Sequence, residues 1–313
     1  MTLAIGIDIG GTKVLGGVVD PEGKVLASTL RPSPAQDPAQ IRAVVAEVIT
    51  ELRDGHEIEA IGVGAAGWID EKRATVLFAP NLAWRNEPLR DGLMSEIDIP
   101  VVVENDANVA TWAEFRFGAG RKANSAVLFT VGTGIGGGIV LEGQLVRGAH
   151  GIAAEFGHTL AVPGGITCGC GRSGCLEQYA SGSALVRVAR RGALENPDKA
   201  RKLLESADAN PAAITGPMVT DAARHDDPIA IGAFNEIGGH LGEALADIVQ
   251  LLDPDVAIIG GGVINAGELL LRPARERYAA VLHARGQLPV AAVVAAEMGP
   301  EAGIIGAADL ARR

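Results

Sequence analysis

The first part of the chain alternates short apolar runs with turn-forming residues. Residues 3–8 are largely apolar and end at Asp8-Ile9-Gly10-Gly11-Thr12-Lys13, after which residues 14–19 form a second apolar run. Residues 20–23, Asp-Pro-Glu-Gly, are typical of a turn, and residues 24–26 resume the apolar pattern. The pattern predicts a strand, a glycine-rich turn, a strand, a hairpin turn and a third strand.

The same arrangement recurs near the middle of the chain. Residues 126–129 are apolar, residues 131–138 read Val-Gly-Thr-Gly-Ile-Gly-Gly-Gly, and apolar runs at 139–141 and 144–146 flank a Glu-Gly turn. A pattern that repeats within one chain indicates a structural duplication. We therefore predict two similar halves, each opening with a glycine-rich hairpin, that face each other across a cleft.

The remaining apolar patterns predict strands that alternate with helices. Helices are predicted at 39–52, 107–115, 182–205, 228–252 and 303–311, and buried strands at 60–64, 101–103, 255–259 and 289–295. Such alternation is typical of an α/β fold with much parallel sheet, in which ligands bind beyond the carboxyl ends of the strands. We place a domain boundary and hinge near Asp106.

Length and charge exclude several classes of function. The 313 residues are enough for about two domains. The formal net charge of −11 comes with no basic block, so nucleic acid is not an expected partner. No apolar run reaches the ~18 residues of a membrane span, and the first residues do not resemble a signal peptide. We therefore expect a cytoplasmic protein that does not bind membranes.

The two glycine-rich loops are candidate phosphate sites. Glycines in a tight turn let backbone N–H groups approach phosphate oxygens, and Thr12 adds a hydroxyl. Asp8, at the end of its strand, could hold a phosphate-bound Mg²⁺. Each loop alone could equally be a plain hairpin turn, but two of them favour a nucleotide site.

The Glu104-Asn105-Asp106 segment follows an apolar strand, where a carboxylate could accept a hydroxyl proton during phosphoryl transfer. A helix N-cap or an ion-pair partner is the structural alternative. Carboxylates at Glu155 and Glu177 flank a cysteine-rich loop, and they could bind sugar hydroxyls or support metal ligands. Their spacing does not decide between these roles.

All three cysteines of the chain lie in one short segment. Cys168, Cys170 and Cys175 follow His158, which together supply three thiolates and one imidazole. This donor set suits a closed, structural Zn²⁺ site, whereas three unrelated buried thiols would not be expected to cluster.

Together these segments resemble the ROK family (repressor, open reading frame, kinase), and most closely its bacterial glucokinases. The matching segments are Asp8 to Lys13, Glu104 to Asn108, Glu155 to His158 and the Cys168-to-Glu177 run. The resemblance spans nearly the whole chain. It implies the actin-like ATPase (ribonuclease H-like) fold, with two duplicated α/β domains flanking a cleft. The implied small domain is 1–106 plus the C-terminal helix 300–313, and the large domain is 107–299 with the zinc loop.

The resemblance also implies a role for each matching residue. Asp106 matches the catalytic base of an ATP-dependent kinase that phosphorylates the 6-hydroxyl of glucose in carbohydrate metabolism. The hexose-binding positions are Gly67, Asn81, Asn105, Asp106, Glu155, His158 and Glu177. The ATP-binding positions are Asp8, Gly10, Gly11, Thr12, Lys13, Thr133, Gly134, Gly136, Gly137, Gly260, Gly261 and Gly262. The implied cofactors are structural Zn²⁺ on His158, Cys168, Cys170 and Cys175 and Mg²⁺ with ATP, and the implied assembly is a homodimer or homotetramer.

Three alternatives remain open from sequence alone. The chain could phosphorylate another sugar, such as N-acetylglucosamine, N-acetylmannosamine, mannose or fructose. It could use polyphosphate as the donor. It could be a non-enzymatic sugar sensor, although the base and both loops are present, and Asp8 lies too near the start for the DNA-binding domain that precedes the first glycine loop in the family's repressors.

Overall fold

The computed structural model describes residues 2–79, 82–286 and 288–313 and confirms the α/β class. Its strands are β1 (Leu3–Ile9), β2 (Lys13–Val19), β3 (Val25–Pro32), β4 (Ile58–Ala65), β5 (Trp68–Ile69), β6 (Val76–Phe78), β7 (Arg85–Glu87), β8 (Val101–Asn105), β9 (Ala126–Val131), β10 (Ile135–Leu141), β11 (Gln144–Leu145), β12 (Val256–Gly260) and β13 (Ala292–Ala295). Its α-helices are α1 (Pro38–Arg53), α2 (Leu89–Met94), α3 (Asp106–Arg116), α4 (Glu177–Ala180), α5 (Gly182–Glu195), α6 (Arg201–Glu205), α7 (Gly216–Arg224), α8 (Pro228–Leu252), α9 (Glu268–Val281) and α10 (Ala302–Ala311). Within the described residues, no helix combines the length and apolarity needed to cross a membrane.

Two five-stranded sheets repeat the same order of strands. The first runs β3-β2-β1-β4-β8 and the second β11-β10-β9-β12-β13. In the first, β1 pairs antiparallel with β2 and parallel with β4, and β4 pairs parallel with β8. The matching order confirms the predicted duplication. A small antiparallel sheet of β5, β6 and β7, which the sequence analysis did not predict, is an addition to this plan.

The chain divides into two compact units. The first unit contains Met1–Val127, Gly138–Ala154 and Glu297–Arg313, and the second contains Leu128–Gly137 and Glu155–Ala296. The predicted division at residues 106 and 300 stays a prediction. In the compact units, α3 and the segment that follows β11 belong with the first unit.

Helix α10 packs directly on the first sheet. A Cβ at Gly6 would lie 1.8 Å from the carbonyl oxygen of Ile304, and a Cβ at Gly62 would lie 1.8 Å from that of Ala307. Only glycine allows the helix backbone to approach β1 and β4 this closely. The approach brings the start of α10 to the end of β1, next to Asp8.

Local chemistry explains where the longer helices begin. Asp37 accepts the N–H groups of Ala39 and Gln40 and precedes the proline that opens α1. Asp227 caps the start of α8 in the same way. Asp253 ends that helix in the left-handed conformation, with φ of 45°. Side-chain acceptors at the N-cap satisfy N–H groups that the first helical turn leaves unpaired.

Three predicted elements are wrong in their bounds. The helix predicted at 182–205 ends at Glu195, and Pro197 begins a separate 3-10 turn because proline cannot continue the hydrogen-bond ladder. The glycine turn predicted at 131–138 ends at Gly134, and residues 135–138 belong to β10. The last strand begins at Ala292 instead of residue 289.

Candidate active site and metal centre

Asp106 is the first residue of α3, directly after β8. The preceding Asn105 caps the helix, because its side-chain oxygen accepts the N–H of Asn108 at 3.0 Å. The Asn105 amide nitrogen donates to the carbonyl oxygen of Gly67 at 2.9 Å. Gly67 has φ of 154°, and a Cβ there would lie 2.5 Å from the carbonyl oxygen of Phe78. Three predicted sugar-binding residues, Gly67, Asn105 and Asp106, therefore lie together in the first unit.

Two carboxyl groups in this unit influence each other. Burial, and then the nearby negative charge of Asp8, raise the pKa of Asp106 to about 6. Burial also raises the pKa of Asp8, and the positive charge of Lys13 lowers it in part. Asp8 lies against α10, since a Cβ at Gly303 would be 2.8 Å from its carboxyl carbon. A carboxylate with a pKa near 6 is ionised at neutral pH and can accept a proton there.

The first glycine loop is the tight turn that joins β1 to β2. The N–H of Gly10 donates to the carbonyl oxygen of Lys13 at 3.0 Å, and the N–H of Ser33 donates to that of Thr12 at 3.1 Å. Thr12 and Lys13 are exposed, while Gly11 is half-buried. The turn thus presents the hydroxyl of Thr12 and the ammonium group of Lys13 to solvent, a few residues after Asp8 in the sequence.

The second unit contains a cavity of about 740 Å³ beside its own glycine loop. Its lining residues are Gly132, Thr133, Gly182, Ser183, Leu185, Val186, Arg190, Gly216, Pro217, Thr220, Asp221, Arg224, Gly262, Val263, Asn265 and Ala266. Apolar walls with a few polar groups, at this volume, are typical of sites for small molecules and cofactors. Of the predicted nucleotide-binding residues, Thr133 and Gly262 line the cavity. Gly134, Gly136, Gly137, Gly260 and Gly261 are not among its lining residues.

Gly260 and Gly261 directly precede Gly262, which lines the cavity. Gly260 ends β12, and Gly261 has φ of 82°. A Cβ at Gly261 would lie 2.5 Å from the carbonyl oxygen of Val131, at the end of β9. The two strand ends can come this close only because position 261 is glycine.

Sequence reasoning missed the helical side of the cavity. Arg190 from α5 and Thr220, Asp221 and Arg224 from α7 line it, yet they belong to no motif. The two arginines bind backbone acceptors distant in sequence: Arg190 donates to the carbonyl oxygen of Ile214, and Arg224 donates to that of Asn265. Only the folded packing of two helices brings these residues together.

The four predicted zinc ligands come together in the second unit. One donor atom each from His158, Cys168, Cys170 and Cys175 lies within 4.8 Å of every other. The sulfur atoms of Cys170 and Cys175 are 3.7 Å apart, and Cys168 Sγ is 3.7 Å from His158 Nδ1. With Zn–S bonds of about 2.3 Å, a tetrahedral site would set two sulfurs about 3.8 Å apart. The donor set and the spacing both fit a tetrahedral zinc ion.

The Cys175 thiol is not poised to ionise without a metal, whereas a backbone hydrogen bond from Arg172 lowers the pKa of the Cys170 thiol. Burial, and then the neighbouring Cys170 thiol, raise the pKa of Cys175 to about 12. A bound divalent cation favours the ionised form of the cysteine, because the thiolate and not the thiol binds the metal. Metal binding at this site must therefore release protons.

Glu177 lies between the metal ligands and the second glycine loop. One of its oxygens accepts the N–H of Ile135 at 3.1 Å, and the other is 3.8 Å from Cys168 Sγ. A Cβ at Gly134 would lie 2.2 Å from the Glu177 carboxylate, so Gly134 leaves room for it. The remaining ring nitrogen of His158, Nε2, is 4.0 Å from a Glu155 oxygen. Glu177 therefore contacts one of the metal ligands, Cys168. Glu155, His158 and Glu177 all lie around the metal site.

The other predicted positions fall outside these clusters. Gly136 and Gly137 lie within β10. Asn81, predicted to bind the hexose, lies outside the described residues.

Comparison with known proteins covers the full chain. A sequence model described as the ROK family matches residues 4–313. The chain is 47% identical over 312 residues to a glucokinase of Streptomyces coelicolor, covering 100% of this chain and 98% of that one. It is 37% identical over 308 residues to a glucokinase of Thermotoga maritima, covering 98% and 96%. Among solved structures, a ROK family glucokinase from Streptomyces griseus in complex with glucose and AMPPNP has a TM-score of 0.90 and 48% identity, covering 99% of each chain.

Proposed function

Because the chain belongs to the ROK family, we propose that it is a glucokinase, which transfers the γ-phosphoryl group of ATP to the 6-hydroxyl of glucose. The observation that carries this proposal is the full-length likeness to the Streptomyces griseus enzyme, whose structure contains glucose and AMPPNP. The neighbouring ROK kinases have the actin-like ATPase fold, which matches the duplicated sheets of this chain.

Asp106 is the general base of the proposed reaction. Its carboxylate accepts the proton of the sugar 6-hydroxyl, the hydroxyl oxygen forms a bond to the γ-phosphorus, and the bond from that phosphorus to the β,γ-bridging oxygen breaks. ADP leaves with the electron pair, and Asp106 returns its proton to solvent. Its partner Asn105, held by Gly67, keeps the start of α3 in place for this step.

Sugar recognition draws on the other matching residues. Glu155, His158 and Glu177 supply acceptors and a ring N–H group of the kind that sugar hydroxyls require. Together with Gly67, Asn81 and Asn105 they are proposed to orient the hexose. His158 can serve both metal and sugar, because Nδ1 faces Cys168 while Nε2 points toward Glu155.

The nucleotide is assigned to the two glycine loops and the cavity of the second unit. Thr133 and Gly262 at the cavity wall, with Gly134, Gly136, Gly137, Gly260 and Gly261, support the nucleotide, and the apolar walls suit a nucleobase. Gly10, Gly11, Thr12 and Lys13 are assigned to phosphate oxygens. Mg²⁺ accompanying ATP supplies charge neutralisation at the phosphates. Asp8 fits that cation, since a nearby positive charge would offset the burial that raises its pKa.

The zinc site is assigned a structural role. Four protein ligands close a tetrahedral site and leave no position for substrate. Three ligand thiols stay reduced in the cytoplasm, where we place the enzyme. We also propose a homodimer or homotetramer, which light scattering coupled to gel filtration measures directly.

The proposed function is tested by ADP release from ATP and Mg²⁺ across a panel of glucose, mannose, fructose, N-acetylglucosamine and N-acetylmannosamine. We expect the highest kcat/KM with glucose. A higher value with an amino sugar would change the substrate and keep the mechanism. Turnover with polyphosphate but not with ATP would contradict the assignment of the donor.

The decrease of kcat/KM at acidic pH should follow the protonation of Asp106. A general base works only when ionised, and the pKa of Asp106 is raised to about 6, so kcat/KM should fall about tenfold per pH unit below pH 6. The measurement is kcat/KM for glucose between pH 5 and 8, with circular dichroism to confirm that the protein stays folded. Asp8→Asn removes the neighbouring charge that helps to raise the pKa of Asp106. The decrease of kcat/KM should therefore begin at a lower pH in this variant, even if its maximal rate also changes. A flat profile down to pH 5 would contradict the assignment.

A further inference from the structure

We infer that Glu104 and Arg147 are positioning residues for Asp106, acting through a buried ion pair behind the junction of β8 and α3. The inference rests on the proposed function of Asp106 as the base and deepens it. Glu104 is only 1% exposed, so it supports the base from within the protein. Every residue of this network lies in the first unit.

One carboxylate oxygen of Glu104 holds the start of the helix. Glu104 Oε1 accepts the backbone N–H of Asn105 at 2.9 Å and the side-chain amide of Asn108 at 3.0 Å. Asn108 in turn donates its backbone N–H to the Asn105 side chain. These bonds surround Asp106 in sequence on both sides, so they fix the peptide units from which its carboxyl group extends.

The other oxygen of Glu104 faces two arginines. Arg147 Nε lies 2.6 Å and Arg73 Nε 3.2 Å from Glu104 Oε2. Arg147 also donates to the carbonyl oxygens of Glu71 at 2.9 Å and Asp70 at 2.8 Å. The guanidinium of Arg147 therefore ties the turn after β5 and the segment after β11 to the residue that holds the base.

A buried ion pair is weak support for stability, since the cost of desolvation offsets much of the attraction. Its distinctive effect is to fix one geometry, because Glu104 also bonds the start of α3 and Arg147 also bonds the carbonyl oxygens of Asp70 and Glu71. In phosphoryl transfer, a base displaced by about 1 Å can lower the rate by about 10²-fold. The network should therefore affect kcat more than the affinity for either substrate.

The direct test is Glu104→Gln, which keeps the shape and the acceptor for Asn105 but removes the charge that pairs with two arginines. We expect kcat to fall by roughly 10- to 100-fold. KM for ATP and the calorimetric Kd for glucose should stay within about threefold of wild type. If Glu104 had a purely structural role, its substitution would lower the unfolding midpoint without lowering kcat at unchanged KM and Kd.

The matched control is Asp309→Asn. Asp309 is also a buried carboxylate of the first unit, 4% exposed, and it accepts from the Trp112 indole at 2.8 Å and pairs with Arg116 at 3.1 Å. Its loss should lower the unfolding midpoint at least as much as Glu104→Gln, yet leave kcat within about twofold of wild type. If Asp309→Asn lowers kcat as much as Glu104→Gln, general loosening explains both and the inference is overturned.

A pair of variants at Arg147 decides the question even if Glu104→Gln does not fold. Arg147→Gln should lower kcat at least about fivefold, and Arg147→Lys, which keeps the charge, should recover part of that loss. Wild-type kcat in both variants, or in Glu104→Gln, would overturn the inference. Failure of the wild type to phosphorylate any hexose would instead overturn the proposed function, and with it this assignment, so the two failures are distinguishable.

Discussion

Asp106→Asn is expected to lower kcat for glucose phosphorylation by about 10³-fold while glucose still binds. The amide cannot accept the hydroxyl proton, and removal of a general base typically costs between about 10² and 10⁴ in rate. The side-chain oxygen that accepts the N–H of Ala107 at 2.9 Å is retained, so the start of α3 should keep its conformation. Steady-state kinetics gives kcat, and calorimetry gives the Kd for glucose.

Asp91→Asn is the control for this substitution. Asp91 lies in the first turn of α2, is exposed and belongs to the same unit. It should show kcat within about twofold of wild type. Near wild-type kcat in Asp106→Asn would remove Asp106 from the role of base.

Cys170→Ser is expected to abolish stoichiometric zinc binding and to destabilise the protein. Cys170 is exposed, so the substitution removes a ligand without leaving a cavity. Loss of a structural metal is among the few single changes that cost about 4 kcal/mol or more. The unfolding midpoint should therefore fall by roughly 10 °C. Elemental analysis gives zinc per chain, and differential scanning calorimetry gives the midpoint.

Thr167→Ala, in the same loop, is the control for the metal site. Thr167 is exposed, and its hydroxyl makes only a 3.4 Å contact with that of Ser173. It should keep one zinc per chain and a wild-type midpoint. One tightly bound zinc and an unchanged midpoint in Cys170→Ser would contradict the four-ligand site.

The sequence predicted best where the chemistry is local. The two glycine-rich hairpins revealed the duplication, because turn residues and apolar runs repeat at matching positions. The cluster of candidate zinc ligands was predicted for the same reason, since three thiols lie in one segment with a histidine ten residues before the first. The structure gathers these donor atoms within 4.8 Å.

Tertiary packing outweighs the local preference of the sequence at two places. Gly138 is in a strand and not a turn, and a Cβ there would lie 2.0 Å from the Thr111 hydroxyl, so glycine is needed for a close approach. Helix α9 contains Pro273, which argues against a helix, yet Pro273 packs where a Cβ on Gly238 of α8 would lie 2.6 Å from it. In both cases, contacts between distant segments outweigh the local preference.

The same limit explains what was missed at the site. Asp106 was predicted from its motif, but the ion pair beside it joins Glu104 to Arg147, 43 positions later, and no local pattern connects them. The cavity walls from α5 and α7 were missed because residues such as Arg190 and Asp221 acquire their role only when the helices pack.

Product analysis tests the central claim most directly. The protein is incubated with glucose, ATP and Mg²⁺, and the products are followed by phosphorus and carbon NMR. We expect glucose 6-phosphate and ADP in equal amounts, with none formed by Asp106→Asn on the same timescale. Phosphate on another hydroxyl, or ATP that remains intact beside unmodified glucose, would contradict it.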